Sequence, residues 1–234
     1  MGDGFSTPSR DINYSYIHVY GSYAKFGYLY ASYNEDLILR DNRFSGTNYS
    51  LFVQRWWNLE VSYNIVYASD SWNRLVDFIY PSISTSYSWD NNTNYSSGSH
   101  LFEVDDQGET FPMWKTLTGF DSASTLSTSA PIGTEVFFYA NEYEDKRGNV
   151  VIYNWDGIST VSVDISSLGF ELGDRYVFHQ VLNYWDETIE GTYDGNNITV
   201  PMTGWTVAKP LGYNSTQGTY RFPTFGIFVV TAQP

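Results

Sequence analysis

Leu37-Ile-Leu-Arg-Asp-Asn-Arg-Phe44 and Leu59-Glu-Val-Ser-Tyr-Asn-Ile-Val66 share one pattern at an offset of 22 residues. Apolar and polar residues alternate from Leu59 to Ser62, Leu37 and Leu39 hold the equivalent apolar positions, and an asparagine follows in both segments, at Asn42 and Asn64. Alternation with a period of two indicates a β-strand that buries one face. A degenerate third copy begins at Tyr87-Ser-Trp89. Repeats of this length that are made of short strands and no helix are typical of the coils of a β-solenoid.

The repeat predicts which side chains face the core. Four apolar residues are expected to point inward and to stack from coil to coil: Leu37, Leu39, Leu59 and Val61. Three polar residues of the same strands are expected to face solvent: Arg40, Glu60 and Ser62. Asn42 and Asn64 are expected at corners, where a short amide side chain tolerates left-handed backbone and can bond the equivalent residue of the next coil.

A second series of apolar segments predicts another wall of the solenoid. Alignment of Tyr28 with Leu51 and of Leu51 with Val76 places Leu51 and Val76 on adjacent strands. The same alignment puts Asp77 on the outer face, in a column with Leu29 and Phe52. Two apolar neighbours of this kind make a poor catalytic groove.

Only one helical turn is predicted, in Phe111-Pro-Met-Trp-Lys-Thr-Leu117. A proline at an early position suits the first turn of a helix, and Trp114 and Leu117 have i, i+3 spacing. Gly119 supplies a stop signal.

From about Ala130 the pattern changes to short strands separated by Gly, Asn and Asp turns. Seven candidate strands follow: Glu135–Tyr139, Asn149–Asn154, Thr160–Ile165, Tyr176–Val181, Thr188–Tyr193, Asn197–Pro201 and Gly226–Thr231. This spacing predicts an antiparallel β-sandwich. Residues 1–100 carry 9 acidic and 6 basic side chains, and residues 101–234 carry 17 and 6. We therefore predict two domains, residues 1–130 and 131–234.

Several motifs look like late coils of pectate-lyase-like right-handed parallel β-helix proteins: Asn42-Arg-Phe-Ser-Gly46, Asn48-Tyr-Ser-Leu-Phe-Val-Gln54, Trp57-Asn-Leu-Glu-Val61 and Tyr87-Ser-Trp-Asp-Asn-Asn-Thr93. Phe111–Ser124 is similar to the segment that commonly closes such a helix. The second half, at Val150–Asp156, Gly173–Tyr176 and Gly191–Gly195, resembles the C-terminal β-sandwich appended to many carbohydrate-active enzymes. The resemblance implies an all-β protein with about four coils of right-handed parallel β-helix, followed by a β-sandwich, in a polysaccharide context.

Composition excludes several function classes. The 234 residues carry a formal net charge of −14, which is a poor match for nucleic acid, and contain no Cys for a disulfide or a thiolate site. The three histidines, His18, His100 and His179, lack the spacing of a metal or protease motif. No apolar run has the roughly 20 residues that a membrane span needs.

The expected location is extracellular or on the cell surface. The chain is rich in Tyr, Ser, Thr, Asn and Gly and poor in Lys, a composition that we associate with exported proteins. Its first residues lack the features of a signal peptide. We therefore expect a mature or truncated part of a longer secreted product, with an unusual cytoplasmic protein as the alternative.

Aromatic residues, which make up 19% of the chain, supply the most suggestive candidate surface. Flat rings can stack on sugars or on a neighbouring protein, and six residues are predicted to contact glycan or another subunit: Tyr33, Trp56, Trp57, Trp72, Trp185 and Trp205. Core packing is the competing explanation. Trp56 and Trp57 are adjacent in a strand, so one of them must point outward. Trp155 is expected in the core.

No catalytic residue is predicted, because no position matches a family motif residue for residue. The enzymes of this family that cleave acidic polysaccharides use a basic residue as proton acceptor, and five bases are available: Lys25, Arg40, Arg43, Arg55 and Arg74. A hydrolase would need two carboxylates about 5–9.5 Å apart. Asp70 with Asp77, or Asp41 with Glu60, could form such a pair, with solvated loop charge as the competing explanation.

No cofactor is predicted. The acidic patches Glu103-Val-Asp-Asp106 and Glu142-Tyr-Glu-Asp145 could supply oxygen ligands to Ca²⁺, but they lack the spacing of a defined calcium loop, which favours solvated turns. Six Asn-x-Ser/Thr sequons are candidates for glycosylation: Asn13, Asn48, Asn91, Asn94, Asn197 and Asn214.

Together these features favour an extracellular, non-catalytic module that contacts polysaccharide or builds a surface or filamentous assembly. The alternative is a polysaccharide lyase or glycoside hydrolase of the parallel β-helix type, or a fragment of one. About four coils give only a short groove, which favours the first. Because an open solenoid end exposes backbone groups, we expect a neighbouring subunit or an upstream domain to cover the first coil, Ile12 to Tyr30. The alternative is that residues 1–10 fold back as a short strand or loop and cap this end.

Overall fold

The computed structural model describes residues 8–27, 33–46, 49–68, 74–79, 86–99, 101–209, 212 and 223–233. Most of the regular structure in these ranges is β-strand, in parallel and in antiparallel sheets. The chain divides into two compact units, Met1–Pro131 and Ile132–Pro234.

Twelve strands of the first unit follow one another through three parallel sheets, A, B and C, in a repeating order. The first pass comprises β1 (Ile12–Ser15), β2 (His18–Tyr20) and β3 (Ala24–Phe26), and the second β4 (Asn34–Arg40), β5 (Arg43–Gly46) and β6 (Tyr49–Gln54). The third comprises β7 (Trp56–Ser62), β8 (Ile65–Ala68) and β9 (Arg74–Ile79), and the fourth β10 (Tyr87–Asp90), β11 (Thr93–Tyr95) and β12 (Phe102–Val104). The unit ends with β13 (Gln107–Glu109), helix α1 (Phe111–Thr118) and β14 (Thr125–Ser127).

Each strand from β4 to β12 pairs in parallel with the strand three places earlier in the chain, so equivalent residues of successive passes stack. In sheet A, Leu37 pairs with Leu59 and Leu39 with Val61, and all four side chains are buried, as predicted. Ser62, expected in solvent, is buried, and its hydroxyl donates to Glu60 Oε1 at 2.9 Å.

Sheet C confirms one predicted pairing and corrects another. Leu51 lies opposite Val76, as predicted. Leu51 also lies opposite Ala24 rather than Tyr28, which falls outside the described residues, so the first pass is shifted by four positions. As a result Lys25, and not Leu29, shares the outward column of Phe52 and Asp77.

A column of buried asparagines joins successive passes at the corner between sheets A and B. The side-chain amide of Asn42 donates to Asn64 Oδ1 at 3.1 Å, and that of Asn64 donates to Asn92 Oδ1 at 3.1 Å. The side-chain amide of Asn64 also bonds two backbone groups. Its Nδ2 donates to the Leu39 carbonyl at 2.9 Å, and its Oδ1 accepts from the Asn42 N–H at 3.0 Å. The predicted bond between Asn42 and Asn64 is confirmed.

The left-handed backbone of these corners lies one residue earlier than predicted. Four non-glycine residues that precede the corner positions have φ between 57° and 60°: Tyr16, Asp41, Tyr63 and Asn91. Asn92, rather than Asn91, therefore continues the column. Non-glycine residues tolerate this conformation only at a cost. After Asp41, Tyr63 and Asn91, the bonds of the following asparagine offset that cost.

The last pass is closed by helix α1, which begins and ends as predicted. Thr110 Oγ1 accepts from the Met113 N–H at 3.4 Å, and Gly119 ends the helix with φ of 72°. The fully buried Trp114 stacks on Phe102 at 5.2 Å and donates its indole N–H to Asp121 Oδ2 at 2.7 Å. Asn92 Nδ2 also donates to Asp121, at 3.3 Å, so the asparagine column ends at the closing segment.

The second unit is antiparallel throughout its described residues. Its strands are β15 (Thr134–Ala140), β16 (Gly148–Asn154), β17 (Thr160–Val163), β18 (Arg175–Gln180), β19 (Thr188–Thr192), β20 (Ile198–Pro201) and β21 (Phe225–Ala232). They form one sheet in the order β15-β16-β21-β18-β19 and a second of β17 and β20. Apolar residues of both sheets share one core, among them Val150, Phe178, Phe228 and Val200. Short 3₁₀ turns lie at Ser166–Leu168 and Val181–Asn183.

Within the described ranges, no helix has the length and apolar character that crossing a membrane would require.

Replacing Asn64 tests the asparagine column. Asn64→Ala removes its side-chain bonds and leaves the Leu39 carbonyl and the Asn42 N–H buried without them, so we expect a loss of about 3–5 kcal/mol in the free energy of unfolding. Asn13→Ala, at an exposed position on β1, should change it by less than about 0.5 kcal/mol. Chemical denaturation of both variants measures the difference. Equal stability of the two would contradict a structural role for the column.

Candidate functional site

The outer face of sheet A carries a groove of about 490 Å³. Its lining combines apolar side chains, Ile12, Leu37, Ile38 and Leu59, with side chains that carry an amide, a hydroxyl or a carboxylate: Asp11, Asn13, Asp36, Asn58, Glu60, Ser86 and Ser88. Parallel register builds this face, because Asp36 lies opposite Asn58, and Glu60 lies opposite both Ile38 and Ser88. Asn58 Nδ2 donates to Asp36 Oδ1 at 2.6 Å.

An exposed indole ring, that of Trp57, directly precedes the groove-lining Asn58 in β7. Trp56 and Leu59 are both buried, so the two residues between them, Trp57 and Asn58, are both exposed. This interruption of strict alternation brings an indole ring next to a groove-lining amide. Trp57 is 48% exposed and packs against Tyr33, with 4.7 Å between ring centres and 34° between planes.

The charge of the groove is negative. Arg40 forms an ion pair with Glu60, and its guanidinium bonds, together with the Ser62 hydroxyl, hold the pKa of the Glu60 carboxyl below its usual value. At the start of the same face Arg10 pairs with Glu35 at 2.9 Å. Asp11 and Asp36 add two more carboxylates to the lining.

A second group of charges lies in the outward column of sheet C. Lys25, Phe52, Asp77 and Glu103 occupy equivalent positions on β3, β6, β9 and β12. Lys25 Nζ lies 4.5 Å from the centre of the Phe52 ring, and Arg74 forms an ion pair with Glu103.

Asp77 is the most perturbed carboxyl of this column. It is only 2% exposed, and its Oδ1 finds no hydrogen-bond partner among the described residues. Burial, followed by the nearby charges of Glu103 and Asp106, raises the pKa of Asp77 to about 7. Of the two apolar neighbours predicted for Asp77, Phe52 is confirmed, whereas Leu29 was wrong because Lys25 takes its place in the column. Glu103 lies on the other side of Asp77.

The aromatic residues predicted to contact glycan divide into exposed and buried rings. Trp56 is 1% exposed and donates its indole N–H to the Phe26 carbonyl at 3.2 Å, so its prediction as a contact residue was wrong. Trp205 is also buried and donates its indole N–H to the Pro201 carbonyl at 2.6 Å. Its prediction as a contact residue was therefore wrong for the same reason. Trp185 is 84% exposed and packs edge-on against Tyr184. Trp72 lies outside the described residues.

The asparagines of the candidate glycosylation sites also divide into exposed and buried side chains. Asn13, Asn91 and Asn197 are exposed. Asn94 is buried and donates to the Thr125 carbonyl at 3.1 Å, so it was wrong as a glycosylation candidate in the folded chain. Asn48 and Asn214 lie outside the described residues, as does Asp70 of the first predicted carboxylate pair.

No group of three or more His, Asp or Glu side chains in the described ranges could hold a metal ion. The expectation that the two acidic patches bind no calcium stays a prediction.

No protein-family model matches the chain, and neither a curated protein nor a solved structure matches it. The site must therefore be interpreted from its own chemistry.

The raised pKa of Asp77 predicts a pH-dependent stability. The folded state binds a proton up to about pH 7, whereas the unfolded carboxyl releases it near pH 4, so stability falls as pH rises between these values and then levels off. Asp77→Asn removes this dependence. It should be more stable than the wild type by roughly 4 kcal/mol at pH 8 and by little at pH 4.

Thermal unfolding across pH 4–8 measures this margin. Asp186→Asn, at an exposed position of the second unit, is the matched control and should show none. A margin for Asp77→Asn that does not change with pH would contradict the prediction.

Proposed function

We propose that the first unit is a short right-handed parallel β-helix of the pectate-lyase-like kind, and that the second is a β-sandwich of the type appended to carbohydrate-active enzymes. Three features support the first part: the repeating order of the three parallel sheets, the buried asparagine column and the closing helix α1. Two antiparallel sheets that share one core support the second.

The protein, on this proposal, is an extracellular, non-catalytic module that contacts polysaccharide through the outer face of sheet A. The observation that carries the proposal is the half-exposed Trp57 ring, which packs on Tyr33 and directly precedes Asn58 in β7. Asn58 lines a groove in which amide, hydroxyl and carboxylate groups lie among apolar side chains. A pyranose ring presents apolar C–H faces and a rim of hydroxyls. Exposed aromatic rings suit its faces, and polar side chains with paired donors and acceptors suit its rim.

Trp57→Ala tests this contact. Loss of a central aromatic anchor should weaken binding about tenfold, because such residues typically contribute more than 1 kcal/mol to a binding site. Affinity electrophoresis in gels that contain cellulose derivatives, chitosan or polygalacturonate gives the comparison with the wild type. Leu117→Ala, an exposed apolar residue on helix α1, is the control and should bind normally. Unchanged retardation of Trp57→Ala in a gel that retards the wild type would contradict the role of this face.

A catalytic function is the second candidate, and the Asp77–Glu103 pair is the observation that favours it. In many glycosidases two neighbouring carboxyls divide the roles of acid and base. Here Asp77 has a raised pKa and Glu103 forms an ion pair with Arg74. Their burial counts against this candidate, since Asp77 is 2% and Glu103 5% exposed. New reducing ends or unsaturated products from a polysaccharide panel, lost in Asp77→Asn, would establish the enzyme instead.

Assembly is the other part of the proposal, and the first pass supports it. Strands β1, β2 and β3 lie at the edge of their sheets among the described residues. Ile12, Tyr14 and Val19 are only partly buried, whereas their equivalents in the second pass are buried. We propose that a neighbouring subunit or an upstream domain covers this end, with head-to-tail contacts that can build a filament.

Sedimentation velocity tests the assembly. Val19→Lys places a charge on the edge strand β2, where lysine discourages edge-to-edge pairing. We expect the wild type to associate as its concentration rises and the variant to associate less. A wild type that stays monomeric at all concentrations would contradict assembly of this chain with itself.

A further inference from the structure

The groove on sheet A differs from a general sugar site in the sign of its charge. Three of its lining residues are acidic: Asp11, Asp36 and Glu60. Among the described residues that line it, none is Lys, Arg or His. A ligand in this groove therefore meets carboxylates without a compensating cation in the lining.

The three carboxylates are not equivalent. Glu60 is bound by Arg40, which neutralises it from outside the groove, and by the Ser62 hydroxyl. Arg10, the basic residue beside Asp11, pairs with Glu35. Asp36 accepts from the neutral amide of Asn58, and no ion pair to Asp11 or Asp36 occurs within the described ranges. Two negative charges thus remain for a ligand.

This charge selects among sugar polymers. A uronate polymer would bring its own carboxylates close to Asp11 and Asp36, and like charges brought together at an interface disfavour the complex. A protonated amino sugar would place an ammonium group near these carboxylates.

We propose that the sheet A groove binds a polymer of unacetylated amino sugars in its cationic form. The inference rests on the proposed function, the contact of this face with polysaccharide, and adds the chemical class of the ligand. It opposes the acidic polysaccharide that the resemblance to pectate-lyase-like proteins implies.

Three hexamers separate the possibilities by titration calorimetry at pH 5.5: glucosamine, N-acetylglucosamine and galacturonate. The glucosamine hexamer should bind at least about fivefold more tightly than the acetylated one, and this advantage should shrink between 20 and 300 mM NaCl as salt screens the charges. Asp36→Asn should weaken binding of the glucosamine hexamer about threefold, as expected for one exposed ion pair, and leave the acetylated hexamer unaffected. Asp186→Asn is the control and should change neither.

Each other outcome overturns a defined part of the account. If the glucosamine and N-acetylglucosamine hexamers bind equally tightly and independently of salt, the inference is overturned but the contact with polysaccharide is kept. Preferential binding of the galacturonate hexamer overturns the inference in the same way. If none of the hexamers binds and no polysaccharide gel retards the wild type, the proposed function fails with it.

Discussion

The stacking of the side-chain amides of Asn42, Asn64 and Asn92 is the interaction on which the first unit depends. Each amide bonds its neighbour in the next pass and also satisfies backbone groups that would otherwise be buried without partners. A slip of one residue would break these bonds and turn the apolar column of sheet A outward. The column thereby fixes the register of the strands that flank it, and through them the side chains that reach the outer face.

That register explains why the two outer faces differ. On sheet A it places Asp36 beside Asn58 in an open groove, and the exposed Trp57 directly precedes Asn58 in β7. On sheet C it stacks Asp77 against Phe52 and Glu103, where burial makes the ionised carboxyl costly. The open face suits reversible contact with a polar ligand, whereas the buried charges of sheet C reduce stability near neutral pH. This contrast is the physical reason for preferring sheet A as the contact surface.

Sequence reasoning succeeded where a repeat carried a marker residue. The Leu-x-Leu pattern followed by Asn42 and Asn64 predicted the core of sheet A and the bond between the corners, and Pro112 with Gly119 predicted helix α1. It failed at Tyr28, because the length of the connections varies between passes and sheet C has no corner asparagine to anchor an alignment. It also assigned contact roles to Trp56 and Trp205, since burial of a ring depends on packing between strands far apart in sequence. The pairing of Asp36 with Asn58 gave no signal of its own, because short polar residues on a solvent face follow no pattern.

The indole N–H resonances of the eight tryptophans offer the most direct test of the account, in a titration of the isotopically labelled protein with the glucosamine hexamer followed by NMR. Trp56 and Trp57 are adjacent in sequence, yet the first donates its N–H into the core and the second is half exposed and directly precedes the groove-lining Asn58. Assignment with Trp57→Phe and Trp56→Phe distinguishes their signals. We predict that the Trp57 resonance shifts in step with binding while the Trp56 resonance stays in place. Saturable binding that leaves Trp57 unmoved, or that shifts only Trp185 in the second unit, would contradict the account.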